Sequence, residues 1–343
     1  MRLSLLFSCC LLIFTACQND ANQTNTQTEQ ASPAAAKKYD VPKFERDSAL
    51  AYVAKQVSFG PRVPNSDAHK ACKEWLVGKL ESFGAEVIEQ DFVAEAYTGT
   101  KLNSTNIIAQ FNPGAPKRIL LSAHWDSRHI ADSPLSTERQ NEPILGADDG
   151  GSGVGVLLEV ARQLGQNPTD MGVDIVLFDA EDHGESKSEY ESQADAQKST
   201  FTWGLGSQYW AQNLHVSGYR PRYGILLDMV GSRNAYFPKE QYSRQFAPQV
   251  VDKVWKLAET MGYGNYFANT ESGGITDDHF FVATYARIPM IDIINLPPNS
   301  DNKGFGSHWH TQNDDMDIID KRTLRAVGQV VLAVLYREAS GTF

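Results

Sequence analysis

The feature that most constrains the fold of this 343-residue chain is an alternation of buried-strand and amphipathic-helix patterns after about Tyr39. The segments RILLSAH and GVDIVLFDAED are apolar at nearly every position, so both faces of these strands must be covered. Amphipathic segments such as DSALAYVAKQVSF and KACKEWLVGKLESFG supply covering helices. The alternation therefore predicts an α/β fold: a single domain with a mostly parallel, twisted central sheet flanked by helices.

Further elements continue this alternation, and two long polar connections interrupt it. The other predicted strands are AEVIEQDFV, STNIIAQF, YGILLDMVG and IPMIDIINL, and the other predicted helices cover residues 244–262 and 317–339. The connections are residues 128–145 and 183–203. Connections of that length in a compact domain are usually functional or disordered. Both follow a buried strand, and open α/β sheets bind ligands beyond the carboxyl ends of their strands, so we expect the site at that edge.

Acidic and histidine side chains recur where the predicted strands end. They are His124, Asp126, Asp148, Asp149, Asp179, Glu181, Asp182, Asp228, Asp277, Asp278, His279, His308 and His310. Each alone has an ordinary explanation, as a helix cap or as a hydrogen-bonded structural histidine. Together, so many carboxylates at one edge would repel one another unless a cation or a catalytic task offsets the cost.

The ligand chemistry of this set favours zinc. No compact motif such as HExxH is present, so the metal prediction depends on the whole set. Carboxylate and imidazole ligands together suit zinc, which in catalytic sites usually has three protein ligands and an open position. In the turn GADDGGSG, one aspartate would be enough to cap the helix that follows. The pair Asp148 and Asp149 therefore indicates that negative charge is required there.

The amino terminus has the features of an export signal. MRLSLLFSCCLLIFTAC combines Arg2 with an apolar run too short to span a bilayer comfortably, and it ends in a small residue followed by Cys17. This predicts a lipoprotein signal peptide over residues 1–16 and a lipidated Cys17 that anchors an exported, periplasm-facing bacterial lipoprotein to the membrane. An ordinary signal peptide that ends near a cysteine is the alternative. The polar tract over residues 17–40 predicts a disordered tether, and residues 41–343 form the folded domain.

Cysteine content and charge exclude other classes of protein. The mature part keeps only Cys17 and Cys72, so no intramolecular disulfide is expected if Cys17 carries lipid. Cys72 has helical spacing and is predicted to be a small core residue. The net charge of −11, without a basic cluster, argues against nucleic acid as a partner. No organic cofactor is expected.

Taken in order, six motifs resemble those of a known family. HWDS, GADDGGSGVGVLLEVAR, LFDAEDHG, LLDMVGS, DDHFF and HWHTQNDD are similar to the zinc aminopeptidase superfamily, with its phosphorylase/hydrolase-like fold. Within it they resemble the type II glutaminyl cyclases, particularly the bacterial lipoprotein forms, over roughly residues 41–340. The resemblance implies a glutaminyl-peptide cyclotransferase. Such an enzyme uses one zinc per chain to convert N-terminal glutaminyl residues of peptides and proteins to pyroglutamate, with release of ammonia.

The resemblance also implies a role for particular residues. The zinc ligands would be Asp149, Asp182 and His310, and Asp148 would not be a ligand. The catalytic residues would be Glu181, as general acid and base, with Asp228 and Asp277 hydrogen-bonded near it. The substrate pocket would contain Trp309, Ile275 and Trp203. Many cyclases have Glu in place of Asp182, and this chain lacks the cysteine pair that animal enzymes carry near the metal.

A two-zinc aminopeptidase that hydrolyses the N-terminal peptide bond is the alternative enzyme. His124 and Asp228 stand where a second zinc would be bound, with Asp149 bridging the metals and Glu181 activating a water. The motifs ITDDHFF and HWHTQNDD favour the cyclase. A non-catalytic lipoprotein of the same fold would be expected to have lost a ligand or the base, and none is missing.

Overall fold

The computed structural model describes residues 37–186 and 191–343, and the folded unit begins at Lys37. Residues 37–40, which the sequence analysis places in the tether, contact this unit. The Tyr39 backbone N–H donates to Ser340 Oγ at 2.9 Å, and its hydroxyl accepts from the Asp170 N–H at 3.0 Å. The predicted signal peptide, the lipidation site at Cys17 and the rest of the tether lie outside the described residues.

The strands of the described region form one large sheet and one small sheet. The strands are β1 (Glu86–Glu95), β2 (Lys101–Phe111), β3 (Arg118–His124), β4 (Gly172–Phe178), β5 (Gly224–Asp228), β6 (Phe237–Lys239), β7 (Phe267–Glu271) and β8 (Met290–Ile294). The large sheet has the order β1-β2-β4-β3-β5-β8, and β6 pairs only with β7. Strands β4, β3, β5 and β8 run parallel, whereas β1 and β2 form an antiparallel edge. The predicted mostly parallel α/β sheet is confirmed.

Helices cover the sheet on both faces. They are α1 (Arg46–Val57), α2 (Asp67–Ser82), α3 (Gly151–Gln166), α4 (Gln193–Thr200), α5 (Leu205–Gln212), α6 (Gln241–Phe246), α7 (Pro248–Thr260), α8 (Asp278–Phe281) and α9 (Lys321–Ala339). A π-helical turn, Val282–Ala286, continues α8, and a 3-10 turn, Met316–Ile318, precedes α9.

Two sequence predictions about helices need correction. The helix predicted over 244–262 is two helices, α6 and α7, because Pro248 occupies the first position of α7 and cannot continue the preceding helix. The long connection at 183–203 is not all loop, since it contains α4, which is capped by the Ser192 side chain. The short elements α5, α8, β6 and β7 were not predicted.

Alternate residues of the parallel strands supply two separate hydrophobic cores. In β3, Ile119 and Leu121 face the larger core, which includes residues of α1, α3, α7 and α9, whereas Leu120 faces the smaller core. In β4, Ile175 faces the larger core and Val176 faces the smaller core. Successive side chains of a strand point to opposite faces, so a strand covered on both faces must be apolar throughout. This explains the continuous apolar runs of the sequence.

Cys72 lies in the larger core, as predicted. It is fully buried, and burial raises the pKa of its thiol to about 12, so it stays protonated and unreactive. Within residues 37–186 and 191–343, no helix is both long enough and apolar enough to cross a bilayer.

Helix α3 packs unusually close to the sheet. A Cβ placed on Gly153 would lie 2.3 Å from the Leu227 carbonyl oxygen of β5, and a Cβ on Gly155 would lie 2.5 Å from Cγ2 of Val53 in α1. Side chains at these positions would therefore push the helix outward. Because α3 begins two residues after Asp149, this packing also fixes where that aspartate stands.

We predict opposite stability changes for two glycine-to-alanine substitutions inside helices. Gly153→Ala should lower the free energy of unfolding by about 1–3 kcal/mol, because the new methyl overlaps a backbone carbonyl. The control is Gly78→Ala in α2, where a Cβ would meet nothing within 4 Å. It should raise that free energy by about 0.5–1 kcal/mol through helix propensity. Urea denaturation measures both, and a Gly153→Ala variant as stable as Gly78→Ala would contradict the packing argument.

Candidate active site

The predicted site residues surround one cavity at the carboxyl ends of the parallel strands. Its volume is about 450 Å³. The predicted residues that line it are Asp149, Glu181, Asp182, Trp203, Asp228, Ile275, Asp277, Trp309 and His310. His124, the last residue of β3, is buried beside the cavity in contact with Asp149. The structure thus brings together the residues that the sequence analysis assigned to metal, catalysis and substrate.

Asp149, Asp182 and His310 form a group that fits zinc. Their candidate ligand atoms all lie within 4.8 Å of one another, and His310 Nε2 is 3.1 Å from Asp182 Oδ1. Asp149 Oδ2 and both carboxylate oxygens of Asp182 are buried without a hydrogen-bond partner. Leaving buried carboxylate oxygens unsatisfied is costly, and a divalent cation would satisfy them. The mixed carboxylate and imidazole donors are a set that zinc accepts.

The imidazole ring of His310 is oriented by a hydrogen bond and by aromatic stacking. Its Nδ1 lies 2.8 Å from Asp132 Oδ1, and because a carboxylate only accepts, Nδ1 carries the proton and Nε2 is free for a metal. The Trp309 ring stacks on the imidazole with centroids 3.6 Å apart, and Trp203 lies parallel at 6.0 Å. The backbone of His310 is in the left-handed region, with φ +54°, a strain that is often found at functional sites.

Sequence reasoning missed Asp132 and its partner Arg128. Arg128 is fully buried, pairs with Asp132 at 2.6 Å and donates to the backbone carbonyl of Asp182 at 2.9 Å. Burial alone would raise the pKa of Asp132, but His310 and Arg128 lower it below the usual aspartate value, so Asp132 stays ionised. Both residues lie in the polar connection 128–145. Its length was the only sequence signal of a role at the site.

His124, Asp149 and Asp228 form a second group with metal-ligand spacing. His124 Nε2 lies 2.9 Å from Asp149 Oδ1 and 3.3 Å from Asp228 Oδ1. Burial disfavours the charged form of His124, yet the carboxylates of Asp126, Asp149 and Asp228 outweigh burial and raise its pKa well above the usual histidine value. The imidazole of His124 hydrogen-bonds to Asp149 Oδ1. Asp149 Oδ2 therefore remains available to the group that Asp149 forms with Asp182 and His310.

Glu181 is a buried carboxyl directly beside this centre. Burial raises the pKa of Glu181 well above its usual value; the charge of His124 opposes that rise, and the carboxylates of Asp182 and Asp277 add to it. A carboxyl with a raised pKa has a higher proton affinity, so it is better suited to take a proton and later return it, as general acid and base catalysis requires. Its neighbour Ala180 has a left-handed backbone, with φ +52°, which turns the chain sharply after β4.

Asp228 and Asp277 lie near Glu181, and burial raises the pKa of both carboxyls. Behind Asp277 lies a further acid and histidine group that includes Asp292 and His279. His279 Nε2 is 3.2 Å from Glu240 Oε2. His279 was recognised from the sequence and Asp292 was not, although a carboxylate inside the apolar strand MIDII was a signal that could have revealed it.

Three of the acids noted in the sequence do not line the cavity. Asp148 accepts from the Gly231 N–H at 2.7 Å, and its other carboxylate oxygen lies 2.8 Å from His308 Nε2. Asp179 binds His69 Nε2 at 2.9 Å, behind the sheet edge. Both carboxylate oxygens of Asp278 are buried without a hydrogen-bond partner, and burial raises the pKa of this carboxyl well above the usual value.

The walls of the cavity are largely aromatic and aliphatic. Trp309 stacks on Phe305 with centroids 4.4 Å apart, and Ile275 packs against the same small apolar cluster. At the rim, Lys303 Nζ donates to Ser186 Oγ at 2.9 Å, which joins the loop of Trp309 to the segment before α4. The cavity therefore runs from a buried acidic floor between aromatic walls to a polar rim.

Comparisons with known proteins agree with this geometry. Residues 106–335 match the model of peptidase family M28. The Bacteroides thetaiotaomicron glutaminyl cyclase, solved bound to N-acetylhistamine, is 51% identical; the alignment covers 87% of this chain and 99% of that one, with a TM-score of 0.82. A Zn-dependent exopeptidase from Parabacteroides distasonis is 52% identical, with the same coverages of 87% and 99% and a TM-score of 0.82.

Similarity extends to animal enzymes at lower identity. The glutaminyl-peptide cyclotransferase of Drosophila melanogaster is 25% identical over 287 residues, which are 77% of this chain and 73% of that protein. The family model and these relatives confirm the resemblance seen in the sequence motifs. The chain belongs to peptidase family M28, in the branch that contains the bacterial glutaminyl cyclases.

Proposed function

We propose that this protein is a glutaminyl-peptide cyclotransferase. It converts an N-terminal glutaminyl residue of a peptide or protein to pyroglutamate and releases ammonia. The observation that carries the proposal is the presence, in one cavity, of a ligand group that fits zinc and the buried acid Glu181 beside it. The similarity to bacterial glutaminyl cyclases supports the same reaction.

The protein's own residues account for the proton transfers. Zinc bound by Asp149, Asp182 and His310 would polarise the γ-amide carbonyl as a Lewis acid. Glu181 takes a proton from the α-amine as that nitrogen bonds to the γ-carbonyl carbon. The bond from that carbon to the amide nitrogen breaks, and Glu181 returns the proton to the departing nitrogen, which leaves as ammonia. The raised pKa of Glu181 suits both steps.

The cavity supplies orientation. The nucleophile is already part of the substrate, so the protein need only fold the glutamine side chain back toward the α-amine and exclude water. Trp309, Ile275 and Trp203 line the cavity and provide apolar surface for the aliphatic part of that side chain. Asp228 and Asp277, near Glu181, provide acceptors for the α-amine.

We propose one zinc per chain. The hydrogen bond from His124 to Asp149 Oδ1 supports this count, because it leaves a single oxygen of Asp149 unpartnered. The two-zinc aminopeptidase is the second candidate. The observation in its favour is the metal-ligand spacing of His124, Asp149 and Asp228.

We also propose that the protein is an exported lipoprotein whose lipid on Cys17 anchors it to the membrane, facing the periplasm. The motif FTAC and the polar tract that follows it support this proposal. The tract would separate the catalytic domain from the membrane surface.

The reaction products separate the cyclase from the aminopeptidase. A peptide that begins with Gln should lose ammonia, about 17 Da, and keep its chain length, whereas a peptide that begins with Leu should stay unchanged. Only a side-chain carbonyl that the α-amine can reach in a five-membered ring reacts in this way. Mass spectrometry of both incubations measures the outcome, and release of free leucine at a comparable rate would assign the protein to the peptidases.

Glu181→Gln should separate catalysis from metal binding. The substitution keeps the shape of the side chain but removes the proton acceptor, so turnover should fall by roughly a hundred- to ten-thousand-fold. Elemental analysis should find one zinc in this variant and in the wild type. Asp182→Ala is the control, because it removes a ligand and should lose zinc. A loss under about tenfold in Glu181→Gln would show that Glu181 is not the base, and two tightly bound zincs in the wild type would favour the peptidase.

Cys17→Ala tests the membrane anchor. Without the thiol no lipid can be attached, so the variant should leave the membrane fraction or remain unprocessed at its amino terminus. Fractionation followed by immunoblotting measures its distribution. The anchor proposal fails if the variant stays in the membrane fraction to the same extent as the wild type.

A further inference from the structure

Two buried aspartates each hold two consecutive backbone N–H groups of a loop that carries a zinc-site residue. Asp314 accepts from the N–H of Asp148 through Oδ1 at 2.7 Å and from the N–H of Asp149 through Oδ2 at 3.1 Å. Asp126 accepts from the N–H groups of Glu181 and Asp182 in the same way, at 3.1 and 3.2 Å. We call these pairs of bonds the Asp314 clamp and the Asp126 clamp.

The loop held by the Asp314 clamp needs an external restraint. Glycines flank the two aspartates, and Gly146 and Gly150 both have positive φ, at +58° and +78°. Glycine gives a turn its shape but leaves its backbone free to move. The clamp fixes the peptide unit of Asp149 itself, so the position of that carboxylate does not depend on the glycines.

The Asp314 clamp also joins two ligand loops. The Asp314 backbone N–H donates to the Thr311 carbonyl at 3.2 Å, one residue beyond His310, and its own carbonyl accepts from the Ala147 N–H at 3.3 Å. Asp314 therefore spans from the loop of His310 to the loop of Asp149. A residue that does not line the cavity therefore links the positions of these two ligands.

Burial of the Asp314 carboxyl group costs free energy, which its contacts must offset. Asp314 has no exposed surface, and backbone N–H groups are the hydrogen-bond partners of its carboxylate. Burying a carboxyl group is unfavourable unless hydrogen bonds or a charged neighbour, here His308, compensate for the lost water, and an uncharged residue would serve if only loop packing were needed. Two parallel acceptors at one carboxyl group match two successive N–H groups, and among side chains only a carboxylate offers them.

We propose that Asp314 is a positioning residue that preorganises the zinc site by fixing Asp149 relative to His310. This inference takes its metal from the proposed function, but it concerns binding and not turnover. The Asp126 clamp does the same for Asp182 and, unlike the Asp314 clamp, also holds the base Glu181. The two clamps therefore differ in what their loss affects: the first acts on zinc affinity alone, and the second acts on zinc affinity and on proton transfer.

Asp314→Asn tests the proposal, with Asp315→Asn as the matched control. Asparagine keeps the shape but presents an amide N–H to one of the two backbone donors, so one clamp bond is lost. The neighbouring Asp315 also accepts a backbone N–H, that of Asp317 at 2.8 Å, but does not contact the Asp149 loop. We expect the dissociation constant for zinc to rise by about 10–100-fold in Asp314→Asn and to stay unchanged in Asp315→Asn. Competition with a chromogenic chelator measures it.

Further measurements separate positioning from general destabilisation. Thermal unfolding of the zinc-free proteins should show a lower midpoint for Asp314→Asn, which loses one of two hydrogen bonds to the backbone, and little change for Asp315→Asn, whose amide oxygen can still accept from the Asp317 N–H. At saturating zinc, kcat of Asp314→Asn should return to near the wild-type value, whereas Asp126→Asn should remain impaired because Glu181 is displaced. If Asp314→Asn does not fold, Asp314→Glu, which keeps the charge but lengthens the side chain, serves in the same assay.

Equal zinc affinity of a folded Asp314 variant and the wild type would overturn the proposal. A fall in affinity of the same size in Asp315→Asn would also overturn it, since the effect would then not depend on the clamp. Because zinc affinity is measured without substrate, a protein that binds zinc as expected but does not cyclise Gln peptides would refute the proposed function and leave this inference standing.

Discussion

Electrostatic repulsion among buried carboxylates governs the carboxyl edge of the sheet. Most of these acids have a partner that offsets their charge: His124 for Asp149, His308 for Asp148, His69 for Asp179 and Arg128 for Asp132. Asp126 and Asp314 bind backbone N–H groups. Around the zinc ligands, the oxygens left without partners belong to Asp149 and Asp182 and face the imidazole of His310. Carboxylate oxygens without partners are therefore concentrated in and around the site: those of Asp149 and Asp182 lie where a divalent cation would sit, and others belong to Asp228, Asp277, Asp278 and Asp292.

The fold makes that concentration tolerable. Two hydrophobic cores fix the strands from both faces, so the acids at the strand ends cannot move apart to relieve their repulsion. Burial then raises the pKa of Glu181, Asp228 and Asp277, which lets protons take up part of the negative charge. The same burial that makes the site unfavourable in isolation gives Glu181 the proton affinity that its proposed role requires.

Much of the fold and of the site could be predicted from the sequence, and the remainder shares a physical cause. Strands such as RILLSAH were recognisable because both faces are buried, and the cavity residues were recognisable because they follow strand ends. Strand β6 has three residues and was too short to show a period. Asp132 and Asp314 act through contacts with residues more than 160 positions away in the chain, so nothing local marks their partners. The helix over 244–262 was predicted as continuous, although Pro248, which begins the second of the two helices, was visible in the sequence.

The close packing of α3 constrains how the gene for this protein can change in length. Gly153 and Gly155 fix the rotation of the helix against β5 and α1, and Asp149 stands four residues before the first of them. Inserting or deleting one residue between Asp149 and Gly153 would turn the helix by about 100° and shift it by about 1.5 Å relative to the ligand. Either the core contacts or the ligand position would be lost. Point substitutions can accumulate around this segment over evolutionary time, but its residue count cannot drift.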